Sequence, residues 1–305
     1  MPGQIVLPSN PTAMAIRKLR TALFLDFEAG VKLAQPVYEQ LASVVQSESG
    51  FNIYNWAEEW PEMREWLGQR IVKETSEEVY LIPNRSYEAT IRVKRTEIED
   101  GDISKRLLDS RAAGRSAAKL PDQLVANLLM QGQSKKCFDG QNFFDGNHPI
   151  GGGATQSNFT SSGMALTPAN FETAYVAMST FKSYYGNEIE VAPNVLVVPP
   201  ALKGAAIDIV ANATLPGGGS NKYFNWAKVV VMNKLQSQPG TWYLLATESA
   251  AVAPFIVQER MKPVFEAKDK DTDDNAFFRD EYLYGIRSRY GAGYGLWQLA
   301  YKAAA

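Results

Sequence analysis

Cys137 and His148 are the only cysteine and the only histidine of the sequence, and both lie in one aromatic segment, CFDGQNFFDGNHP. A thiolate beside an imidazole is the pairing of a nucleophile with its base. No family-specific nucleophile signature surrounds the cysteine, however, and nearness in sequence does not create the geometry of attack. The plainer expectation is a buried cysteine serving as a small hydrophobe and a histidine locking a turn before Pro149. Asp269, Asp271, Asp273 and Asp280 imitate positions 1, 3, 5 and 12 of a calcium loop. Asp274 occupies the sixth position, where the sharp turn needs glycine, and the twelfth is Asp rather than Glu, so the segment reads as a solvated acidic loop. Gly291, Gly293 and Gly295 resemble a dinucleotide fingerprint, yet the strand-like LWQLAY follows where a helix must begin. These glycines are expected to let a strand bend or a backbone approach closely. No catalytic residue, cofactor or metal ligand is therefore expected.

The elements that would hold these residues belong to a chain of 305 residues, enough for a sizeable core in one large or two intimately joined domains. Hydrophobic residues at 45% and charged residues at 21% describe a globular protein, and 31 basic against 33 acidic side chains leave a net charge of −2. Such a balance excludes a global basic field for nucleic acid; any DNA contact would be local and weak. A single cysteine excludes an internal disulfide framework and fits a reducing compartment. No apolar run reaches the length of a membrane span, and no export signal is read in the opening MPGQIVLPSNP.

The dominant stretch is Asp102 to Gly132. Ile103, Leu107, Leu108, Ala113, Ala117, Leu120, Leu124 and Leu128 recur at helical intervals, with Arg106, Asp109, Arg111, Arg115, Lys119 and Asp122 mostly opposite. Pro121 could kink one helix or open a second with Asp122 in its first turn; the unbroken phase of the stripe favours the kink. Unbroken, the helix would span about 45 Å at ~1.5 Å per residue. Upstream, residues 13–29 read as an amphipathic helix and 37–45 as a second helical candidate. YNWAEEWPEMREWLGQR then interleaves tryptophans with charges, a composition suited equally to an interface or to anchoring its own segment. Strands are expected at 79–82 and 88–94, paired as a hairpin through the turn residues Pro83 and Asn84. A lone two-stranded hairpin is marginal in water and needs a surface to lie on. Downstream, Thr167-Pro168 opens a helix to about residue 184, 195–198 is a buried strand before a helix at 201–211, and strands follow at 228–233 and 242–247. PFIVQ and PVFEA precede the acidic loop; Tyr282, Tyr284, Ile286 and Tyr290 then alternate with Leu283, Arg287 and Arg289.

Several of these stretches together resemble the major head subunit of Mu-like phages and prophages, the gene product T family. They are YNWAEEWPEMREWLGQR, NRSYEATIRVKRTEIEDGD, LPDQLVANLL, CFDGQNFFDGNHP, VLVVPPAL and DEYLYGIRSRYGAGYGLWQLA, in family order from about residue 12 onward. Gly101 departs from the pattern where the family often has another acid. The resemblance implies an α+β, Hong Kong 97-like major capsid fold with an N-terminal arm, an extended β-hairpin loop, a long spine helix, and axial and peripheral domains. Residues 1–66 would be the arm, 67–101 the extended loop, 102–164 the peripheral domain with its spine at 102–132, 165–253 the axial domain, and 254–305 the return to the peripheral sheet. No protease or scaffold segment is read within the chain, so the expectation is a trimmed or unprocessed shell subunit.

The implied function is that of a non-enzymatic major capsid protein, assembling through pentamers and hexamers into an icosahedral shell around phage DNA. Its partners would be itself, scaffold, portal and decoration proteins, and double-stranded DNA bound without sequence reading, with no membrane. It would assemble in the host bacterial cytoplasm and reside in the virion capsid. The candidate subunit-interface residues are Trp60, Arg64, Glu65, Trp66, Arg70, Arg85, Tyr87 and Arg92. The alternatives are a cellular nanocompartment shell of the same fold and a hydrolase using Cys137 and His148.

Overall fold

The computed structural model describes residues 11–57, 77–150, 153–183, 186–215 and 217–305. In chain order the helices are α1 (Pro11–Leu33), α2 (Arg95–Glu99), α3 (Ser104–Ala118), α4 (Leu120–Gln131), α5 (Pro168–Ser179), α6 (Lys203–Val210) and α7 (Asp274–Arg279). The strands are β1 (Ala42–Gln46), β2 (Phe51–Ala57), β3 (Glu77–Pro83), β4 (Arg85–Lys94), β5 (His148–Ile150), β6 (Ala154–Gln156) and β7 (Phe159–Thr160). β8 (Val195–Val198), β9 (Lys228–Val231), β10 (Thr241–Leu245), β11 (Phe255–Lys268), β12 (Glu281–Tyr294) and β13 (Ala300–Ala304) complete them. They form two compact units, Met1–Pro36 with Arg85–Pro121 and Glu259–Tyr290, and Val37–Asn84 with Asp122–Gln258 and Gly291–Ala305.

In the first unit, α1 buries Ile16, Leu19, Leu23 and Phe27, which follow one another at three- and four-residue steps along one face. The first three join Ile91 and Val93 of β4, Tyr282 and Tyr284 of β12, and Ala276 in a common core. β4 and β12 are antiparallel from Arg85 opposite Tyr290 to Lys94 opposite Glu281. Period-two alternation turns Ile91 and Val93 inward while Glu88, Thr90, Arg92 and Lys94 stay exposed. Ile103, Leu107 and Ala113 of the expected stripe pack half-buried against this core, but Leu108 is 63% exposed, and the fully buried positions of α3 are Ser110 and Gly114. Small residues there let two helical backbones meet. A Cβ on Gly114 would lie 2.2 Å from the Phe27 carbonyl oxygen, and one on Gly30 would lie 2.0 Å from that of Arg111. Ser110 Oγ donates to the Leu23 carbonyl at 2.7 Å, tying the same crossing.

The second unit is built on a five-stranded sheet of order β7-β13-β10-β8-β9. β10 is antiparallel to both β8 and β13, while β8 and β9 run parallel, as do β13 and β7. Every residue of β8 and β10 is buried, as both faces of a central strand require when covered. α5 contributes Phe171, Ala174 and Met178, and α6 contributes Ala206, Ile209 and Val210. Thr167 Oγ1 accepts the Asn170 amide at 3.2 Å, with Pro168 in the first turn, so the expected helix start is met.

Several expectations need correction. α3 stops at Ala118 and α4 begins at Leu120, so Pro121 stands in the first turn of a second helix, where its missing N–H costs nothing. The 37–45 segment is not helical: a 3₁₀ turn at Tyr38–Gln40 leads into β1. The Val37 and Tyr38 amides are instead taken by Asp122 Oδ1, each at 2.8 Å, and the β-branched pair Val44-Val45 suits a strand. The expected hairpin of 79–82 with 88–94 does not form. β3 pairs with β2, from Ala57 opposite Glu77 to Phe51 opposite Pro83, and β4 pairs with β12. Only Asn84 separates β3 from β4, too little chain for the expected reversal, and its side chain is held by Ser47 Oγ at 2.7 Å and the Ser49 carbonyl at 2.9 Å. Finally, PFIVQ and PVFEA are one strand, β11, and β12 runs through Gly291 and Gly293 instead of stopping before them. Those glycines admit neighbours: a Cβ on Gly291 would lie 2.8 Å from the Pro83 carbonyl oxygen, and one on Gly293 would lie 2.5 Å from Ile82.

Candidate functional site

Cys137 and His148 do converge, but through a third residue. Cys137 Sγ donates to Asp139 Oδ1 at 3.0 Å, and His148 Nδ1 lies 2.6 Å from Asp139 Oδ2. Burial, with the Asp139 charge beside it, pushes the Cys137 thiol well above its ordinary range. It is thus a protonated donor, the opposite of an activated nucleophile. His148 is fully buried and stacks on Trp297, ring centroids 3.9 Å apart and planes 8° from parallel. Its other nitrogen, Nε2, faces Asn158 Oδ1 at 3.2 Å. Asn158 Nδ2 donates to the carbonyls of Phe143 and Trp297, so Oδ1 must be the acceptor, taking the Asp145 amide as well. The imidazole therefore donates at both nitrogens, and its charge is matched by Asp139.

Sulfur, carboxylate and imidazole atoms of these three residues lie within 4.8 Å of one another, a donor set with the chemistry of a zinc site. Here each is committed to a mutual hydrogen bond, and the geometry locks the segment between α4 and β5 as the turn expectation required. Burial alone would raise the pKa of Asp139, but the His148 hydrogen bond and charge, with Cys137 and the Gln141 amide, hold it below the ordinary 3.8. A carboxylate so depressed binds fewer protons in the folded than in the unfolded chain. Its contribution is complete above the unfolded value and disappears as pH falls through the lower folded value. Acid titration followed by circular dichroism is expected to show loss of structure below about pH 4, and Asp139→Asn to flatten that dependence.

The acidic loop is occupied by the chain's own partners. Asp271 and Asp280 hold Arg95 at 3.2 and 2.6 Å, Tyr282 donates to Asp271 at 2.7 Å, and Asp273 Oδ2 accepts the Lys270 amide at 2.9 Å. Of the candidate interface residues, Trp60, Arg64, Glu65, Trp66 and Arg70 lie outside the described residues. Arg85 and Arg92 are exposed on β4, at the edge of the sheet ordered β1-β11-β12-β4, and Arg92 reaches Glu281 at 3.6 Å. Tyr87 is half-buried there, and burial raises its phenol pKa.

Two features escaped the sequence reading. Asp139 mediates the cysteine and histidine, and its position two residues after Cys137 was the available signal. The exposed apolar face of the β2–β3 ribbon, with Phe51, Ile53, Leu81 and Pro83 outward, was visible only once the register was known.

Solved structures of similar fold are phage and virus-like shells. The procapsid of bacteriophage JBD30 matches with a TM-score of 0.60 at 28% identity, covering 97% of this chain and 76% of that one. A virus-like particle from Pyrococcus furiosus shares the fold at 13% identity, with a TM-score of 0.54 over 94% of this chain and 98% of that one. The fold is thus the α+β, Hong Kong 97-like fold of capsid subunits. A family profile described as "Mu-like prophage major head subunit gpT" matches residues 16–165, 150–235 and 231–305. The major capsid protein of Escherichia phage Mu is 30% identical over 289 residues, 95% of this chain and 73% of that protein. The Mu-like prophage FluMu major head subunit of Haemophilus influenzae is 26% identical over 96% of this chain and 74% of that protein. The chain belongs to the Mu-like prophage major head subunit family.

Proposed function

We propose that copies of this chain close through pentamers and hexamers into an icosahedral shell that holds packaged double-stranded DNA without reading its sequence. The role is structural, not enzymatic. The observation that carries this reading is the β2–β3 ribbon: among the described residues no third strand flanks it, and Phe51, Ile53 and Leu81 are about half exposed on one face. A two-stranded ribbon with an uncovered apolar face is marginal by itself and gains the missing surface from a neighbour. Residues 1–66 are assigned to the arm, 67–101 to the extended loop, 102–164 to the spine and peripheral domain, 165–253 to the axial domain and 254–305 to the return. Trp60, Arg64, Glu65, Trp66, Arg70, Arg85, Tyr87 and Arg92 are proposed as subunit contacts.

Each contact can be modest. A millimolar interface supplies only about −4 kcal/mol, yet a subunit held by several neighbours in a closed lattice is effectively permanent. Scaffold, portal and decoration proteins complete the proposed partner set, with assembly in the bacterial cytoplasm. Electron microscopy of the purified protein tests the reading. Uniform shells, tubes or capsomer rings are expected; a monodisperse monomer at high concentration overturns it.

A further inference from the structure

Phe277 and Phe278 are 78% and 74% exposed, more than any other large apolar side chain among the described residues. Their rings stand edge to face, centroids 5.0 Å apart, at the end of α7. The base beneath them is firmly held. Asn275 is buried and donates to the carbonyls of Lys268 and Glu281 at 3.1 and 2.7 Å, Ala276 enters the core, and Arg95 grips Asp271 and Asp280. Two aromatic rings on an anchored tip form a preorganised knob, which loses little conformational freedom on binding. Five aspartates against Lys270 and Arg279 give the segment 269–280 a net charge of −3, which Arg95 and Arg20, paired with Asp271, Asp280 and Asp269, reduce to −1.

The same unit carries the complementary surface. Between α1 and α3 lies a groove of about 460 Å³, lined by Gly30, Leu33, Leu108 and Ala112. Leu33 and Leu108 are themselves largely exposed. Arg111, Arg115 and Lys119 flank it, with Arg111 partly offset by Asp26. An apolar groove with a basic rim and an apolar knob with an acidic collar match in both chemistry and sign. Both remain exposed within one copy, so neither satisfies the other there.

We propose that the Phe277–Phe278 knob of one subunit docks into the α1/α3 groove of a second copy of this chain. This rests on the reading of the chain as a self-assembling subunit. Because each copy carries one knob and one groove, the contact is heterologous and repeats from copy to copy, closing into a ring or extending across a lattice.

The test replaces Phe277 and Phe278 together by serine, which leaves the buried core untouched. Sedimentation velocity should show the concentration needed for assembly raised about tenfold or more, as for loss of a central aromatic anchor, with an unchanged melting curve. Arg115→Glu alone and Asp274→Lys alone should each weaken assembly, and the two together should restore it. Mixing a Phe278→Cys chain with a Leu108→Cys chain under mild oxidation should give a disulfide-linked heterodimer. Assembly of the double-serine variant at the wild-type concentration, or absence of that heterodimer in assembled mixtures, overturns the interface. Failure of the wild-type chain itself to associate would instead overturn the shell reading.

Discussion

Gly114→Ala is expected to destabilise the first unit by about 3 kcal/mol or more, although alanine in a helix interior is worth up to about 1 kcal/mol over glycine. The reason is distance. The added methyl would sit 2.2 Å from the Phe27 carbonyl oxygen and 3.0 Å from its carbon, atoms of a backbone that cannot rotate away. Relief requires α1 and α3 to separate by about 1 Å, loosening Leu23 and Phe27 from the core and stretching the bond from Ser110 to the Leu23 carbonyl. Gly30→Ala, with its methyl 2.0 Å from the Arg111 carbonyl oxygen, should behave alike. Gly204 in α6 is the control: nothing lies within 4 Å of its added Cβ, so alanine there should stabilise by a few tenths to about 1 kcal/mol. Urea unfolding of the three variants measures this contrast, and equal signs at positions 114 and 204 would refute the close-crossing account.

Asp139→Asn should cost about 3–5 kcal/mol, the range for removing one partner from a buried ion pair. It would leave His148 fully buried without its counter-charge and would set an amide N–H₂ against either the imidazole N–H or the Cys137 thiol. Cys137→Ser keeps a donor of similar shape to Asp139 and should cost far less, with assembly preserved. A catalytic cysteine would reverse that order of importance. Replacing Asp139 and His148 together by leucine should be less damaging than Asp139→Asn alone, because no unmatched charge remains. Thermal melting of the four proteins gives the ranking directly.

Local signals were legible. Thr167 and Pro168 announced α5, the tyrosines alternating along β12 announced its buried face, and Ile91 with Val93 announced that of β4, because each depends on residues only a few positions apart. What failed depended on partners distant in sequence. β3 and β4 look like two arms of a hairpin until β2 and β12 claim them. The 102–132 stripe kept its helical phase and Ile103, Leu107 and Ala113 do face the core, but phase is blind to a break at Lys119 and to a close helix crossing made through Ser110 and Gly114. In the polar site, the cysteine and histidine drew notice for their rarity, while Asp139, one acid among 33, organised them.

The path of the chain through its two units has a consequence for synthesis. It passes between them after residues 36, 84, 121, 258 and 290, so neither unit is encoded by one contiguous stretch. The first lacks the core tyrosines Tyr282 and Tyr284 until they leave the ribosome, and the second lacks β13, which sits between β7 and β10. A nascent chain thus acquires its finished surfaces only when nearly all of these residues have been translated. Translation itself then acts as a timer that keeps half-made subunits out of a growing particle.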